Sequence, residues 1–144
     1  MLTRAAFAAR RAEIDALNVF PVPDGDTGTN LYLSLDAALD SVRTEHEKAG
    51  ILGATSIAQE CTAMARSLLL TARGNSGVIL SQLVRGFAEA IAESGEDLAD
   101  AAIIADGLER ASQRAYASVT GPADAAIRAA AAAAAAAGAA AVDR

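Results

Sequence analysis

Leu31-Tyr32-Leu33-Ser34-Leu35-Asp36-Ala37-Ala38-Leu39-Asp40-Ser41-Val42 admits two readings, and the choice between them sets the fold. The alternation Leu31, Leu33, Leu35 has the period of a half-buried strand, whereas Leu31, Leu35, Leu39 and Val42 fall on one face of a helix. Length decides for the helix, because no Gly or Pro interrupts the run until Gly50. Three further segments repeat the period. Ile57, Cys61, Met64 and Leu68 make a stripe that ends at Arg73-Gly74, and Leu80, Leu83, Val84, Phe87 and Ile91 follow Gly77 and stop at Ser94-Gly95. Leu98, Ala102, Ala105, Leu108, Ser112 and Tyr116 then run to Gly121-Pro122. The connections are short, so successive helices are expected to pack antiparallel. The fold class is therefore all-α, an antiparallel helical bundle.

The tail differs in kind. Ala129 to Ala137 is unbroken alanine, and Ile127 and Val142 are the only large apolar side chains between Ala123 and Val142. Alanine has the highest helix propensity but little area to bury, so the segment is expected to be helical and to add weakly to the core. This divides the chain into residues 1–122, a helical domain, and 123–144, an alanine-rich helical tail.

At 144 residues the chain suits one domain, large enough to bury a core. A net charge of −6 argues against general attraction to nucleic acid or anionic membranes. Cys61 is the single cysteine, which excludes an internal disulfide and points to a reducing compartment. No apolar run reaches spanning length, and Met1-Leu2-Thr3-Arg4-Ala5 leads to Arg10-Arg11 without a signal-type core, so a cytoplasmic location is expected.

Chemistry concentrates in Asn18-Val19-Phe20-Pro21-Val22-Pro23-Asp24-Gly25-Asp26-Thr27-Gly28-Thr29-Asn30. Two carboxylates stand one glycine apart on a turn stiffened by Pro21 and Pro23, which fix their own φ and extend the residue before them. Gly25 and Gly28 permit sharp turning and close approach of a ligand, and Thr27, Thr29 and Asn30 are cap-type residues at the start of a helix expected near Leu31. Carboxylates alone repel phosphate, but Mg²⁺ takes one or two of them and fills its octahedron with water and phosphate oxygens. A second loop, Ala72-Arg73-Gly74-Asn75-Ser76-Gly77, also opens a helix and offers backbone N–H groups as an anion cradle. In an antiparallel bundle the two loops could share one rim.

Rival sites fail on residue type. An EF-hand would need a bidentate acid where Leu35 stands, and a P-loop would need Lys-Ser/Thr where Gly77 is followed by Val78. Cys61 lies on an apolar stripe and reads as core. His46, between Glu45 and Glu47 in what reads as a charged loop, is expected at the surface, and Ser76 lacks a histidine partner for hydrolase chemistry.

The Leu17–Asn30 stretch, with Ala72-Arg73-Gly74-Asn75-Ser76-Gly77-Val78-Ile79-Leu80-Ser81-Gln82 and Arg85-Gly86-Phe87, resembles the DhaL-type domain, the ADP-binding domain of dihydroxyacetone kinases. Its wording is nearest to the version at the N terminus of the bacterial fatty-acid kinase A subunit, and the likeness runs from about Ile14 to Tyr116. The resemblance implies an antiparallel helical barrel that binds ATP or ADP through magnesium at one rim. It implies Asp24 and Asp26 as metal ligands, with Asn18 near where dihydroxyacetone-kinase relatives use a further aspartate. It also implies Thr27, Gly28, Thr29 and Asn30 against the phosphates, with Gly74, Asn75, Ser76 and Gly77 facing them. The activity implied is phosphoryl transfer to a small molecule, a fatty acid or dihydroxyacetone, presented by a partner protein or domain; no nucleic acid or membrane span enters, and homodimerisation stays open.

The chain departs from the resembled family after Val119. Relatives continue Pro-Val-Glu-Gly-Thr-Ile-Leu, whereas this chain reads Pro122-Ala123-Asp124-Ala125-Ala126-Ile127-Arg128 and ends without the later glycine-rich motif. Relatives also carry more helix before Ile14. A barrel incomplete at its C-terminal end is therefore expected, and the alternative function is a catalytically inactive nucleotide-binding or regulatory module.

Overall fold

The computed structural model describes residues 2–19, 23–51, 53, 55–118 and 125–142, with the backbone alone at 125, 126 and 128. Among them are six helices and no strand: α1 (Leu2–Leu17), α2 (Thr27–Lys48), α3 (Ile57–Thr71), α4 (Gly74–Ser94), α5 (Ala101–Ser118) and α6 (Ala125–Val142). Pro21, the Gly121-Pro122 turn and the boundary between residues 122 and 123 lie outside the described residues. No helix among those described is long and apolar enough to cross a membrane.

Side-chain pairings give the register of three neighbouring pairs, and in each the helices run antiparallel as expected. Across α2 and α3, Ser67 Oγ donates to the Ala38 carbonyl at 3.1 Å and Thr71 Oγ1 to the Ser34 carbonyl at 3.1 Å. Across α4 and α5, Arg114 reaches Glu89 at 2.5 Å and Arg110 reaches Glu93 at 2.5 Å. Across α1 and α2, Arg4 pairs with Asp36 and the Arg11 guanidinium lies over the Tyr32 ring. Leu31, Leu35, Ala38, Leu68 and Leu80 form a core to which Phe7, Leu39, Met64 and Val84 add from the margins. The stripes expected from Leu31 and from Leu80 supply most of that core.

Four expectations are corrected. Helix α1 was not foreseen: it has no fully buried residue, and it docks through Phe7, the Arg4–Asp36 salt bridge and Arg11 over Tyr32 rather than through a broad apolar stripe. Helix α2 starts at Thr27 rather than near Leu31, and α4 at Gly74 rather than after Gly77, because first-turn N–H groups need no intrahelical acceptor and small residues enter that turn freely. In α5 the stripe drawn through Leu98 and Tyr116 is displaced. Asp100 caps the helix by accepting the Ile103 N–H at 2.8 Å, which leaves Leu98 outside it at 83% exposure. The buried side is Gly107, Ala111, Ser112 and Ala115, small residues that allow α5 to approach α4 closely. His46 belongs to the last turn of α2 and faces Glu60 at 3.8 Å, rather than lying in a loop. The alanine tail is helical and docks on α5, where Gly138 lies against Ala105 and Leu108.

The Glu89 carboxylate joins the central pair of helices. Partial burial pushes its pKa up, but hydrogen bonds and charge from Arg114 and Arg85 outweigh this and hold it below the ordinary glutamate value. A depressed folded pKa stabilises above the unfolded value and is lost as pH falls through the folded one. Glu89→Gln is therefore expected to be less stable than the parent at neutral pH, with the difference closing as pH drops below about 4. Urea denaturation at several pH values measures it; a pH-independent difference would contradict the assignment.

Candidate functional site

Both motif loops end in a helix start, and the two starts touch. Asn30, in the first turn of α2, sits so close to Gly74 that a Cβ there would meet its Nδ2 at 2.7 Å. Gly74 has φ +59, a left-handed value, so the position demands glycine on both counts. Ser34, wholly buried one turn further along α2, bonds both sides of this junction: its Oγ donates to the Asn30 carbonyl at 2.7 Å and accepts the Arg73 N–H at 2.9 Å. Gly77 leaves space for that hydroxyl, since a Cβ would lie 2.5 Å from it. The starts of α2 and α4 thus form one rim. Ser34→Ala would strip a buried acceptor from the Arg73 N–H, and a loss of about 1–3 kcal/mol is expected; urea unfolding within 0.3 kcal/mol of the parent, on the order of measurement error, would refute it.

The carboxylates stand on the outer side of this rim. Asp24 and Asp26 are exposed, and Asn18 Nδ2 donates to Asp24 Oδ1 at 2.5 Å, so two of the three expected ligands meet and the third, Asp26, follows two residues on. Gly25 between the acids has φ +60, which gives the loop its turn. Asp26 is the N-cap of α2 by position, but its side chain accepts no cap hydrogen bond and stays available. No cluster of three or more acidic, His or Cys ligands is present among the described residues. The donor set is two carboxylates and an amide, all hard oxygen ligands; this fits Mg²⁺ whose remaining positions are filled by phosphate and water, and does not fit a cation held by protein alone.

The two helix starts differ in what fills them. Asn30 N–H makes the first intrahelical bond of α2, to the Asp26 carbonyl at 2.8 Å, and Gly77 N–H that of α4, to the Arg73 carbonyl at 2.9 Å. The N–H groups before each have no partner inside the helix. In α2 the Thr29 N–H is taken by Asp15, the residue sequence reasoning missed. Its Oδ1 accepts the Thr29 N–H at 2.9 Å and its Oδ2 accepts the Thr29 hydroxyl at 2.7 Å. Partial burial raises the Asp15 pKa, yet these bonds, the Gly28 N–H and the Arg11 charge hold it below the ordinary aspartate value. In α4 the N-cap Arg73 makes no side-chain cap bond and the first turn holds no acid. Gly74 and Asn75 are exposed there, while Ser76 is 6% exposed and Gly77 is buried, so the open edge of this second loop is its first two residues. Next to it, Val78, Gln82, Arg114, Ala117 and Ser118 line a cavity of about 250 Å³ between α4 and the end of α5.

The family model described as DAK2 domain matches residues 21–143. The chain is also similar to uncharacterized proteins of Staphylococcus aureus, among them those of strains COL and NCTC 8325, at 40% identity over 115 residues. The aligned region covers 79% of this chain and 19% of each relative, so the chain spans about a fifth of their length.

Proposed function

Because the chain belongs to the DAK2-domain family, we propose that it is the nucleotide-binding part of a kinase, holding Mg²⁺ with ATP or ADP between the Asp24-Gly25-Asp26 loop and the start of α4. The observation that carries the reading is the convergence of the two motif loops on one rim, fixed by Ser34 and by the contact of Asn30 with Gly74. Asp24 and Asp26, with Asn18 beside them, present oxygen ligands to the metal. The unpaired N–H groups of Gly74, Asn75 and Ser76 orient toward an anion at the helix start, where the α4 dipole favours negative charge. The cavity beside Val78 and Gln82 supplies room for the nucleoside. Bound Mg²⁺ neutralises charge on the phosphate oxygens, and the chain's own part is to position them, which is what phosphoryl transfer asks of a protein. The acceptor is a small molecule presented by a partner protein or domain.

The inactive-module reading has its own support in Ala125-Ala126, which stand where the resembled kinases carry Gly-Thr and where α6 begins. Calorimetric titration with Mg²⁺-ADP tests what the two readings share. Binding at micromolar or tighter affinity is expected, and absence of heat together with an unchanged melting temperature would remove both. Transfer of labelled phosphate to dihydroxyacetone or to a carrier-bound fatty acid would then favour the kinase.

A further inference from the structure

We propose that Asp15 divides the rim between two ions: its carboxylate occupies the first turn of α2 at Thr29, reserving the polyphosphate for the start of α4 and leaving Asp24 and Asp26 to the metal. This rests on the nucleotide-binding reading above. Two helix starts lying side by side compete for the same anion, since each carries unpaired N–H groups and partial positive charge. In α2 the contest is decided internally by the two bonds from Asp15 to Thr29.

Asp15 is held firmly in that role. Gly28 lies so near the Arg11 carbonyl and Ile14 that it has no room for a Cβ, which seats α1 directly on the first turn of α2. The Asp15 carbonyl accepts the Asn18 N–H at 3.2 Å, and Asn18 in turn bonds Asp24. One residue thus braces both ends of the loop that carries the two metal ligands. The consequence is an electrostatic asymmetry. Asp15 bonds the first turn of α2 and Asp26 is its N-cap by position, which sets negative charge against the positive end of its dipole, whereas the start of α4 has no acid in its first turn and has Arg73 as its N-cap, a cation with no ion pair among the described residues. A phosphate without its metal is repelled from the α2 side. Asp15 touches neither ion; it is a positioning residue that makes nucleotide binding depend on the metal.

The test compares ADP binding with and without Mg²⁺ in the parent and in Asp15→Asn, which keeps an oxygen for the Thr29 N–H but drops the charge. The parent is expected to bind Mg²⁺-ADP at least ~10-fold more tightly than metal-free ADP, and the variant to shrink that ratio to about 3 or less as metal-free affinity rises and Mg²⁺-ADP affinity falls. If both affinities move together and the ratio holds, Asp15 is merely structural: the inference is overturned while the nucleotide-binding reading stands. If the parent does not bind Mg²⁺-ADP, both fall. A second measurement needs no variant. On addition of Mg²⁺-ADP to the parent, the amide resonances of Gly74, Asn75 and Ser76 should shift and the Thr29 amide should keep its hydrogen-exchange protection. Loss of that protection, with phosphate contact at Gly28 and Thr29, overturns the proposal.

Discussion

Asp26→Ala should weaken Mg²⁺-ADP binding by about 100-fold or more, and Asp24→Ala by a similar amount, with little change in the stability of the unliganded chain. Loss of an outer partner of a metal ligand already costs ~10–100-fold, so loss of one of two charged ligands belongs at or beyond the upper end. Both side chains are exposed, and exposed substitutions away from special features usually stay within about 0.5 kcal/mol. Asp26→Ala is the cleaner of the two, since Asp24 also accepts the bond from Asn18. At 100 times the dissociation constant, ligand stabilises the parent by about 2.7 kcal/mol, or roughly 6–10 °C in melting temperature, and the variants should lose nearly all of it. The sign makes the experiment decisive. Without a metal at the site, removing a carboxylate from a crowded acidic loop would reduce repulsion and tighten ADP binding. Tighter binding by either variant would therefore refute the metal-bridged geometry, and an unchanged shift would place the nucleotide elsewhere.

How much of this was legible in the sequence depends on the range of the interaction. The helical period of α2, α3 and α4 is a local signal, and Leu31, Leu35, Leu68, Leu80 and Ile91 are buried as their spacing requires. The Gly95 stop of α4 is equally local, a left-handed residue at φ +69 just past the last turn. The two motif loops could be found, and their meeting could be anticipated, because antiparallel packing returns every second helix start to the same end. What the sequence hid is the chemistry across that junction. Asp15 lies 14 positions from Thr29, on a helix whose alanines and arginines show no broad apolar stripe, and nothing local marks it as the cap of another helix. Ser34 interrupts a leucine stripe and could have been read as a buried polar link, but its partner Arg73 is 39 positions away. The α5 stripe was misplaced for a related reason. Its contact with α4 is made by the absence of side chains, and spacing rules that count large apolar residues do not register a face of Gly and Ala.

That face supplies the largest expected stability effect. A Cβ at Gly86 would lie 2.6 Å from the Arg110 carbonyl carbon and the Ala111 nitrogen, and 2.7 Å from the Arg110 oxygen. All three are backbone atoms of a helix, so no rotamer change relieves the clash; α4 and α5 must separate. Separation at Gly86 would also stretch the Glu89–Arg114 and Glu93–Arg110 pairs that lie along the same contact. Gly86→Ala is accordingly expected to cost about 3 kcal/mol or more, a large part of the ~5–15 kcal/mol typical of a domain. Two other glycines calibrate the argument. At Gly107 a Cβ would meet the Phe87 ring at 2.6 Å, and a half-buried ring is a side chain that can shift, so Gly107→Ala should cost about 1–2 kcal/mol. At Gly95 nothing lies within 4 Å and the strain is that of the positive φ alone, so Gly95→Ala should cost about 1 kcal/mol. The order Gly86, Gly107, Gly95 separates clash with rigid backbone from clash with a movable ring and from conformational strain without contact. Urea denaturation of the three variants measures it, and a Gly86→Ala chain as stable as Gly95→Ala would mean that α4 and α5 do not meet at the distance described.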